Sequence, residues 1–489
     1  MKNWWTLAAV GLGVLAVGLD GTVLSVALPT LASGLDASQS DLTWFSSGYL
    51  LVLAAATLPA GVLGDRFGRK KVLLASLVAF GAGSVVCACA GTPAVFLAGR
   101  ALQGVAGAGV TVMALSALVV LFPDEQRPKA VGVYQAANFL ALPLGPLLGG
   151  WMLTHVWWGW VFLINVPVVL LALGATVALV PESRAAERPG LDPVGTAAST
   201  LGLVLTIGGL IRAGEKSWTD PGALTLLLTG TAAIAGFAVW ERFGASRPLV
   251  DPALFRSRSF LWGSALAAVA GVAMIGVLFV LPQFFQDVQG ADTFSSGLRL
   301  LPLIAGMVLG AALAAPLGRA AGTRAATAIG FGILAAGLLL GAAGDAGSGL
   351  LATSTWIALV GAGTGTTLAT ATSAALSGLD AERSGVGSAV VQAFQKTAGP
   401  FGTAIFGSVL VAVYQHRAPA GAVRGLSESV PPTLREAAIL AFVAGFRVSL
   451  LVSAAVAVVG AVAAMALLPS RHATQDPPSR REQPDAVHR

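Results

Sequence analysis

Three charged residues stand inside long apolar stretches of the sequence: Asp20, Arg100 and Lys396. A charged side chain at the centre of a membrane-spanning helix costs about 2.5–3.5 kcal/mol on insertion scales, so it faces a cavity or a partner. A carboxyl group in such a place can take up and release one proton, and a nearby guanidinium favours its ionised form. Asp20 and Arg100 therefore have the residue types needed for a proton-coupled step.

The spacing allows Asp20 and Arg100 to meet. Asp20 lies about fifteen residues into its apolar segment, roughly 22 Å along a helix that rises 1.5 Å per residue. Arg100 lies at a similar depth, roughly 21 Å from the same surface of a hydrocarbon core roughly 30 Å thick. Two static alternatives stay open: Asp20 as a carboxylate satisfied by hydrogen bonds, and the pair as an ion pair that braces the first and fourth helices.

Lys396 lies near mid-depth in a late apolar segment. It can contact an anionic substrate, act as a movable counter-charge, or extend along the helix towards the membrane surface. Polar and aromatic residues in other predicted spans are candidates to line a substrate cavity, although hydrogen bonding between helices or simple packing explains each of them as well. These candidates are Trp44, Tyr49, Gln103, Gln135, Asn138 and Gln392.

The composition places these residues in a membrane protein. The 489 residues include 29 Lys+Arg and 23 Asp+Glu, only 11% charged, and 55% are hydrophobic. So few charges cannot cover the surface of a soluble fold, and disorder requires low hydrophobicity. The four histidines lie in loops or the tail, and the two cysteines form no ligand pattern, so we expect no metal and no cofactor. The scattered basic residues argue against nucleic acid as a partner.

Fourteen segments are long and apolar enough to span a membrane. By the positive-inside rule both termini are cytoplasmic, since twenty basic residues fall on the side of the termini and seven on the other. The composition, rich in Ala, Gly and Arg, suggests a bacterial inner or plasma membrane. The predicted segments are 5–29, 42–63, 72–91, 94–117, 128–151, 160–180, 194–212, 221–240, 260–284, 297–318, 323–344, 350–376, 386–414 and 443–468.

Three weak internal matches share nearly one offset. Residues 63–70 match 317–324, residues 124–127 match 380–383, and residues 133–136 match 390–393. This order predicts two six-helix halves in the same orientation, an arrangement known in transporters with a site between the halves. The predicted organisation is an N-terminal bundle (1–181), two linker helices (182–258), a C-terminal bundle (259–469) and a disordered tail (470–489). Residues 415–442 are predicted to form an external loop with one surface helix.

The loop after the second helix, residues 61–71, resembles the signature loop of the major facilitator superfamily. In that family the loop locks one conformation through contacts between helices, so the resemblance implies a conformational gate here. The residues that match are Gly61, Gly64, Asp65, Arg66, Gly68 and Arg69.

Other motifs resemble the fourteen-helix drug:proton antiporters of this superfamily. Residues 19–29 are similar to the acidic motif of the first helix, and residues 100–107 to the arginine motif of the fourth. The fifth helix resembles the antiporter motif, with Ala141 where a glycine is expected. The sixth-helix stretch 158–167 has Gly159 where the family usually has arginine. The antiporter motif comprises Gly132, Gly145, Pro146, Gly149 and Gly150.

The sequence therefore predicts an all-α polytopic membrane protein with the major facilitator fold. The resemblance implies proton-driven export of a drug-like or antibiotic compound by alternating access, with Asp20 and Arg100 coupling the proton. Its expected partners are a lipophilic small molecule, protons and membrane lipids, and we expect a monomer. The alternative is a proton-coupled importer of a small metabolite. The residues favour neither an intramembrane enzyme or sensor nor a channel with a filter segment.

Overall fold

The computed structural model describes residues 2–469 except 38, 124, 185–191, 246, 247, 249, 251, 292, 345–348, 378, 380–383 and 419–431. The described part of the chain is built of helices, with no strand in it. The α-helices are α1 Lys2–Gly34, α2 Gln39–Phe67, α3 Arg69–Ala88, α4 Pro93–Leu121, α5 Arg127–His155, α6 Trp160–Leu163, α7 Asn165–Leu179, α8 Pro193–Glu215, α9 Pro221–Val239, α10 Arg258–Gln283, α11 Thr293–Arg299, α12 Leu301–Ala343, α13 Leu350–Leu376, α14 Ser384–Arg417 and α15 Pro432–Leu467.

Several helix starts follow from local sequence. In α4, α8 and α9 a Thr or Asp caps the helix and proline follows directly, where its missing N–H is no loss. Asp192 accepts the backbone N–H of Gly195 at 2.9 Å, and Asp220 accepts that of Ala223 at 2.9 Å. A further hydrogen bond from Arg212 lowers the pKa of the Asp220 carboxyl group. These contacts fix the α8–α9 turn.

Twelve helical segments among the described residues are long and apolar enough to cross a membrane. One of them, 295–343, covers two of the predicted spans, 297–318 and 323–344. Gly322, with φ 83°, separates these two parts. Helix α13, which covers the predicted span 350–376, is not among these twelve, because seven of its 27 residues are threonine and its mean hydropathy is lower. The chain is a multi-pass, all-α membrane protein, and the predicted fold class is confirmed.

The helices pack as two bundles. Helices α1 to α7 pack on one another in the N-terminal half, and α10 to α15 do so in the C-terminal half. One buried apolar cluster lies mainly in the N-terminal half, around residues such as Phe80 and Tyr134, and continues into α13 and α14. A second is centred on Phe331 and Phe406 of the C-terminal half. The halves meet where α5 packs on α12 and where α2 packs on α14.

The linker helices α8 and α9 pack on each other, and α8 also fills the space between α2 and α14. Thr200 donates a hydrogen bond to the Ala55 carbonyl oxygen of α2 at 3.4 Å. Trp218, just beyond α8, donates to Ser408 of α14 at 2.8 Å. One linker helix thus contacts both halves. The domain limits at 181, 258 and 469 stay predictions.

The two halves share a backbone feature that supports the internal repeat. Gly68 separates α2 from α3 with φ 111°, and Gly322 divides α12 with φ 83°. Both are the second glycine of their matched segments, 63–70 and 317–324. A positive φ strains residues that carry a Cβ atom, so glycine suits both places. In the second matched pair, 124–127 and 380–383, residue 124 and the whole of 380–383 lie outside the described residues.

The structure differs from the predicted elements in two places. The sixth span is divided into α6 and α7, where Pro167 cannot donate an N–H to the Leu163 carbonyl oxygen. Helix α15 begins at Pro432 rather than at residue 443, so the end of the predicted external loop is part of a long helix. The middle of that loop, 419–431, and the tail 470–489 lie outside the described residues.

Candidate functional site

Asp20 and Arg100 form a buried ion pair between α1 and α4. Arg100 Nη1 donates to Asp20 Oδ2 at 2.5 Å, and the two side chains are 1% and 0% exposed. Arg100 Nε also donates to the backbone carbonyl oxygen of Phe45 in α2, at 3.3 Å. Their similar depths in the sequence allowed such a contact, and the structure shows it.

Amide side chains complete the shell around the Asp20 carboxylate. Gln103 Nε2 donates to Asp20 Oδ1 at 2.8 Å, and Asn165 Nδ2 donates to the same oxygen at 2.9 Å. Gln103 also donates to Ser84 Oγ at 2.9 Å and accepts from Arg100 Nη1 at 2.8 Å. The Asp20 cluster, defined here as Asp20, Arg100, Gln103, Asn165 and Ser84, therefore joins α1, α3, α4 and α7. Every member is buried.

Tyr49 of α2 covers the Asp20 cluster on one side. Its ring lies 4.1 Å from Arg100 Cζ, a cation–π distance, and its hydroxyl donates to the Val17 carbonyl oxygen at 3.4 Å. Tyr49 also lines the cavity described below, together with Gly21 and Thr22. Tyr49 therefore stands between the cluster and the cavity.

A cavity of about 690 Å³ lies between the two halves. Its walls come from α1, α2 and α5 of the N-terminal half, from α10, α13 and α14 of the C-terminal half, and from the linker helix α8. This volume lies within the roughly 300–1,000 Å³ typical of small-molecule sites. Most of the lining is apolar or aromatic, with a few amide and hydroxyl groups between. The cavity can hold a drug-sized, largely apolar compound.

Lys396 of α14 is the one charged residue among the described residues that line the cavity. Its side chain is partly buried, and no hydrogen bond or ion pair joins it to the described part of the chain. Nearby, Gln395 Nε2 donates to Thr372 Oγ1 at 2.9 Å. The described residues thus give the cavity a single positive charge in mainly apolar surroundings.

Five of the seven predicted cavity residues line this space: Tyr49, Gln135, Asn138, Gln392 and Lys396. Gln392 Nε2 donates to the Tyr134 hydroxyl at 2.5 Å, which links α14 to α5 across the two halves. Gln135 and Gln392 occupy matching places in the repeat 133–136 and 390–393, and both reach the cavity.

Two predicted cavity residues lie elsewhere. Gln103 is turned into the Asp20 cluster, because its face of α4 packs against α1 and α3. Trp44 is 53% exposed on α2 and does not line the cavity. The position of a residue along a predicted span does not determine which face of the helix carries it.

The residues predicted to form a gate, called the gate residues below, tie α2 to the first turn of α14. Asp65 Oδ1 accepts the backbone N–H of Gly385 at 3.0 Å, and Oδ2 accepts that of Val386 at 2.9 Å. A carboxylate at a helix N-terminus meets unpaired N–H groups and the positive end of the helix dipole. Arg69 holds Asp65 from the other side, with Nη2 to Oδ1 at 2.6 Å. Asp65 therefore connects the two halves.

The glycines of the gate allow this close approach. A Cβ atom on Gly61 would lie 2.7 Å from the Ala389 Cβ atom, and one on Gly64 would collide with the Met113 side chain. Gly68 has φ 111° and lies against Glu182. Arg66 is half-buried, with its guanidinium 5.6 Å from the ring centre of its neighbour Phe67.

Further contacts close the same end of the molecule. Ser116 and Ser384 share a hydrogen bond of 2.9 Å between α4 and α14. Arg127 Nη1 donates to the Leu376 carbonyl oxygen at the end of α13, at 3.1 Å. Buried apolar residues of α4, α5, α13 and α14 join into one cluster around these contacts. The halves are thus closed on the side of the chain termini, and the cavity lies beyond this closure.

The glycines of the antiporter motif in α5 face different neighbours. Gly145 and Gly149 pack on Thr22 and Val23 of α1, whereas a Cβ atom on Gly132 would lie 2.6 Å from the Ala311 carbonyl oxygen in the other half. Gly150 has no neighbour within 4 Å of the position of a Cβ atom. Helix α5 is continuous through Pro146.

Where the motif has glycine this chain has Ala141, and a glycine in the facing helix α1 accommodates its side chain. A Cβ atom on Gly18 would lie 2.5 Å from the Ala141 Cβ atom, so the glycine that permits close packing here is in α1 instead of α5. Thr22 donates to the Ala141 carbonyl oxygen at 2.9 Å beside this contact. Helices α1 and α5 remain closely packed despite the changed residue.

Several residues at these sites were missed from the sequence. Asn165 and Ser84 were not singled out as members of the Asp20 cluster, and Arg127 was counted only for topology. A polar residue in an apolar span is the signal that marks Asn165 and Ser84. The cavity residues Tyr134 and Gln395 have the same signal.

Comparisons with known proteins agree with this architecture. The family model described as Major Facilitator Superfamily matches residues 10–403. The chain is 32% identical to the tetracenomycin C resistance and export protein of Streptomyces glaucescens, over 95% of this chain and 91% of that protein. It is also 32% identical to the probable actinorhodin transporter of Streptomyces coelicolor, over 87% of this chain and 75% of that one.

The fold resembles a solved transporter structure as well. The proton:xylose symporter XylE, solved with 6-bromo-6-deoxy-D-glucose bound, aligns with a TM-score of 0.65 over 96% of each chain, at 17% sequence identity. At this low identity the structural match supports the fold alone and gives no information about the substrate. Members of the matched family are transporters, which also confirms the prediction that the protein is not an enzyme. The chain therefore belongs to the major facilitator superfamily and is a multi-pass membrane transporter.

Proposed function

We propose that this transporter exports a drug-like or antibiotic small molecule in exchange for protons. The relatives named for tetracenomycin C export and actinorhodin transport support the export of such compounds. In this proposal the protein lies in a bacterial inner or plasma membrane with both termini in the cytoplasm. The closed end then faces the cytoplasm, and the cavity lies on the outer side of the closure.

The hydrogen bonds within the Asp20 cluster are the observation that supports a proton-coupled step. Asp20 accepts three side-chain N–H donors, from Arg100, Gln103 and Asn165, at 2.5–2.9 Å. The carboxylate form suits three donors, since each needs an acceptor. Protonation would remove the charge that holds Arg100 and would place a hydrogen on an oxygen that accepts a bond. One proton therefore has a direct way to loosen contacts among α1, α3, α4 and α7.

The position of Tyr49 connects the cluster to the substrate cavity. Its ring lies 4.1 Å from Arg100 Cζ, and the residue also lines the cavity. A movement of Arg100 after protonation would displace this ring, and a compound pressing on the ring would disturb the Arg100–Asp20 pair. Proton and substrate can thus affect each other through Tyr49 without direct contact.

Alternating access requires one state in which the gate contacts are made and one in which they are broken. Asp65 and the N-terminus of α14 hold the halves together on the cytoplasmic side in this proposal. Breaking these contacts would let the halves separate there and expose the cavity to the cytoplasm. A proton-driven change in the N-terminal half reaches the gate through α2, which carries both Tyr49 and Asp65.

A drug-susceptibility panel in an efflux-deficient bacterial host tests the export step first. The compounds against which the protein protects would then be tested in proteoliposomes with an imposed pH gradient, with a pH dye reporting proton movement. We expect the compound and protons to move in opposite directions and Asp20→Asn to abolish this exchange. Export by Asp20→Asn with an unchanged pH dependence would overturn the coupling role of Asp20. Uptake together with protons would favour the importer.

A further inference from the structure

The charge of the cavity comes from one residue. Among the described residues that line it, Lys396 carries the single charge, and no carboxylate is present. Asp20, the buried acid at similar depth, is 0% exposed and lies behind Tyr49 with Arg100 as its partner. The acid of the coupling step is therefore not available to a compound in the cavity in this conformation.

Lys396 has no counter-charge among the residues that the structure describes. Its side chain is partly buried, and no ion pair reaches it within the described part of the chain. Two neighbouring amides are engaged elsewhere, Gln392 with Tyr134 and Gln395 with Thr372. A cation in apolar surroundings is costly unless it is paired, so this site favours a ligand that brings a negative charge.

The rest of the lining fits the apolar body of such a ligand. Tyr49, Phe139 and Phe279 offer aromatic faces, and Met274 and Ile211 offer apolar contacts around the same space of about 690 Å³. A neutral compound would leave the Lys396 ammonium without a partner, and a cationic one would be repelled by it. The polar groups that remain are amides and hydroxyls, which can bind ligands of either charge.

We infer that the cavity binds a lipophilic anion, an aromatic carboxylate, sulfonate or phenolate, whose charge pairs with the ammonium of Lys396 while its rings lie against the aromatic wall. This inference rests on the proposed function and names the substrate class of the same cavity. It assigns Lys396 to substrate binding and leaves the proton step with Asp20.

Tetraphenylborate and tetraphenylphosphonium test the inference because they share a shape and differ in the sign of their charge. Binding of each ion to the purified full-length protein in detergent is measured by titration calorimetry, with protein-free micelles as the blank. The variants are Lys396→Gln, Lys396→Met and Lys396→Arg. Lys216→Gln is the matched control, since Lys216 is an exposed cation at the end of α8, outside the cavity lining.

We expect Lys396→Gln and Lys396→Met to weaken tetraphenylborate binding on the order of tenfold, about the effect of one lost ionic contact. Binding of tetraphenylphosphonium should stay the same or tighten, and Lys396→Arg should keep most of the preference for the anion. Lys216→Gln should behave as the wild type. Lys396→Met provides a second variant if Lys396→Gln does not fold, because an apolar chain of similar length suits the cavity wall.

Failure to bind tetraphenylborate, or an affinity for it that Lys396→Gln and Lys396→Met leave unchanged, would overturn the inference. An equal loss of both ions would also overturn it, because the role of Lys396 would then be structural. The measurement uses no pH gradient. A negative result here with intact proton-driven export would therefore reject the anionic substrate class alone, whereas loss of export in proteoliposomes would reject the proposed function.

Discussion

The carboxylate of Asp65 caps a helix in the opposite half of the molecule, accepting the backbone N–H of Gly385 at 3.0 Å. The two residues are 320 positions apart in the chain. Because Val386 donates to the second oxygen at 2.9 Å and Arg69 pairs with the first, both oxygens of this buried group are occupied. The closed end of the transporter is therefore held by a charge at a helix terminus, in addition to apolar packing.

Asp65→Asn should open this end of the molecule more often. The amide has one acceptor oxygen and no charge, so it loses part of two hydrogen bonds to α14 and the pair with Arg69. Hydrogen bonds to charged groups contribute about 1.5–3 kcal/mol each, which corresponds to roughly tenfold or more in the population of open molecules. The measurement is the rate at which a maleimide labels Ser384→Cys, a position buried in the closed state, in a Cys89→Ser background.

Glu125→Gln is the matched control for Asp65→Asn. It removes one carboxylate on the same side of the protein from an exposed position at the start of α5. Labelling of Ser384→Cys should then stay at the wild-type rate. Equal labelling rates in the wild type and Asp65→Asn would show that apolar packing alone keeps this end closed.

Gly61→Val should weaken the same closure by a steric route. The position of its Cβ atom is 2.7 Å from the Ala389 Cβ atom and 2.8 Å from the Gly385 carbonyl oxygen, so α2 and α14 must move apart. We expect faster labelling of Ser384→Cys and less transport. Gly174→Val is the control, because a Cβ atom there meets nothing within 4 Å. If both variants label at the wild-type rate, the close approach at Gly61 does not hold the gate.

Depth and residue type made part of the site predictable from the sequence. Asp20 and Arg100 lie in the first and fourth predicted spans at similar heights, and charge is rare enough there to single them out. The partners Asn165 and Ser84 could not be assigned, since that requires the rotation of four helices about their axes. For the same reason Gln103 was predicted to line the cavity and instead faces Asp20.

The gate was less predictable from the sequence than the ion pair. The resemblance pointed to residues 61–71 as a gate but did not identify the partner of Asp65, which is backbone N–H rather than a side chain. Backbone donors have no sequence signal beyond the start of a helix. Gly68 and Gly322 occupy matching positions in the internal repeat of the sequence. The positive φ of both residues explains why glycine recurs there.

The Asp20–Arg100 pair should show strong energetic coupling in stability. Asp20→Asn or Arg100→Leu alone leaves a buried charge without its partner, which typically costs about 3–5 kcal/mol. The double variant should cost less than the sum of the two single variants. The free energy of unfolding of the four proteins in detergent, measured by chemical denaturation, gives the coupling energy directly.

The Arg212–Asp220 pair at the α8–α9 turn provides the comparison. Its N–O distance is 2.6 Å, close to that of Asp20 and Arg100, but the side chains are 41% and 16% exposed. Exposed pairs contribute much less to stability, because water and salt screen the two charges. A coupling energy for Asp20 and Arg100 no larger than that of this pair would contradict the view that the buried pair is a strong internal contact.

Ile211→Trp in α8 should reduce transport of large compounds more than of small ones. Ile211 lines the cavity, and the larger ring would occupy part of its volume. The measurement is proteoliposome transport of exported compounds of increasing size. Leu228→Trp, on a 70% exposed position of the neighbouring helix α9, should leave transport unchanged. An identical size dependence in wild type and Ile211→Trp would exclude α8 from the binding wall.

The position of α8 has a consequence for how this binding space can diversify. Helices α1, α2 and α14 line the cavity and also hold residues of the ion pair or of the gate. We therefore expect most substitutions in them to affect transport itself. Helix α8 contributes Ile207, Leu210 and Ile211 to the same space but holds no member of the Asp20 cluster or of the gate. It also has no counterpart in the internal repeat. Substitutions in α8 can therefore change the shape of this cavity without altering the Asp20–Arg100 pair or the contacts of Asp65.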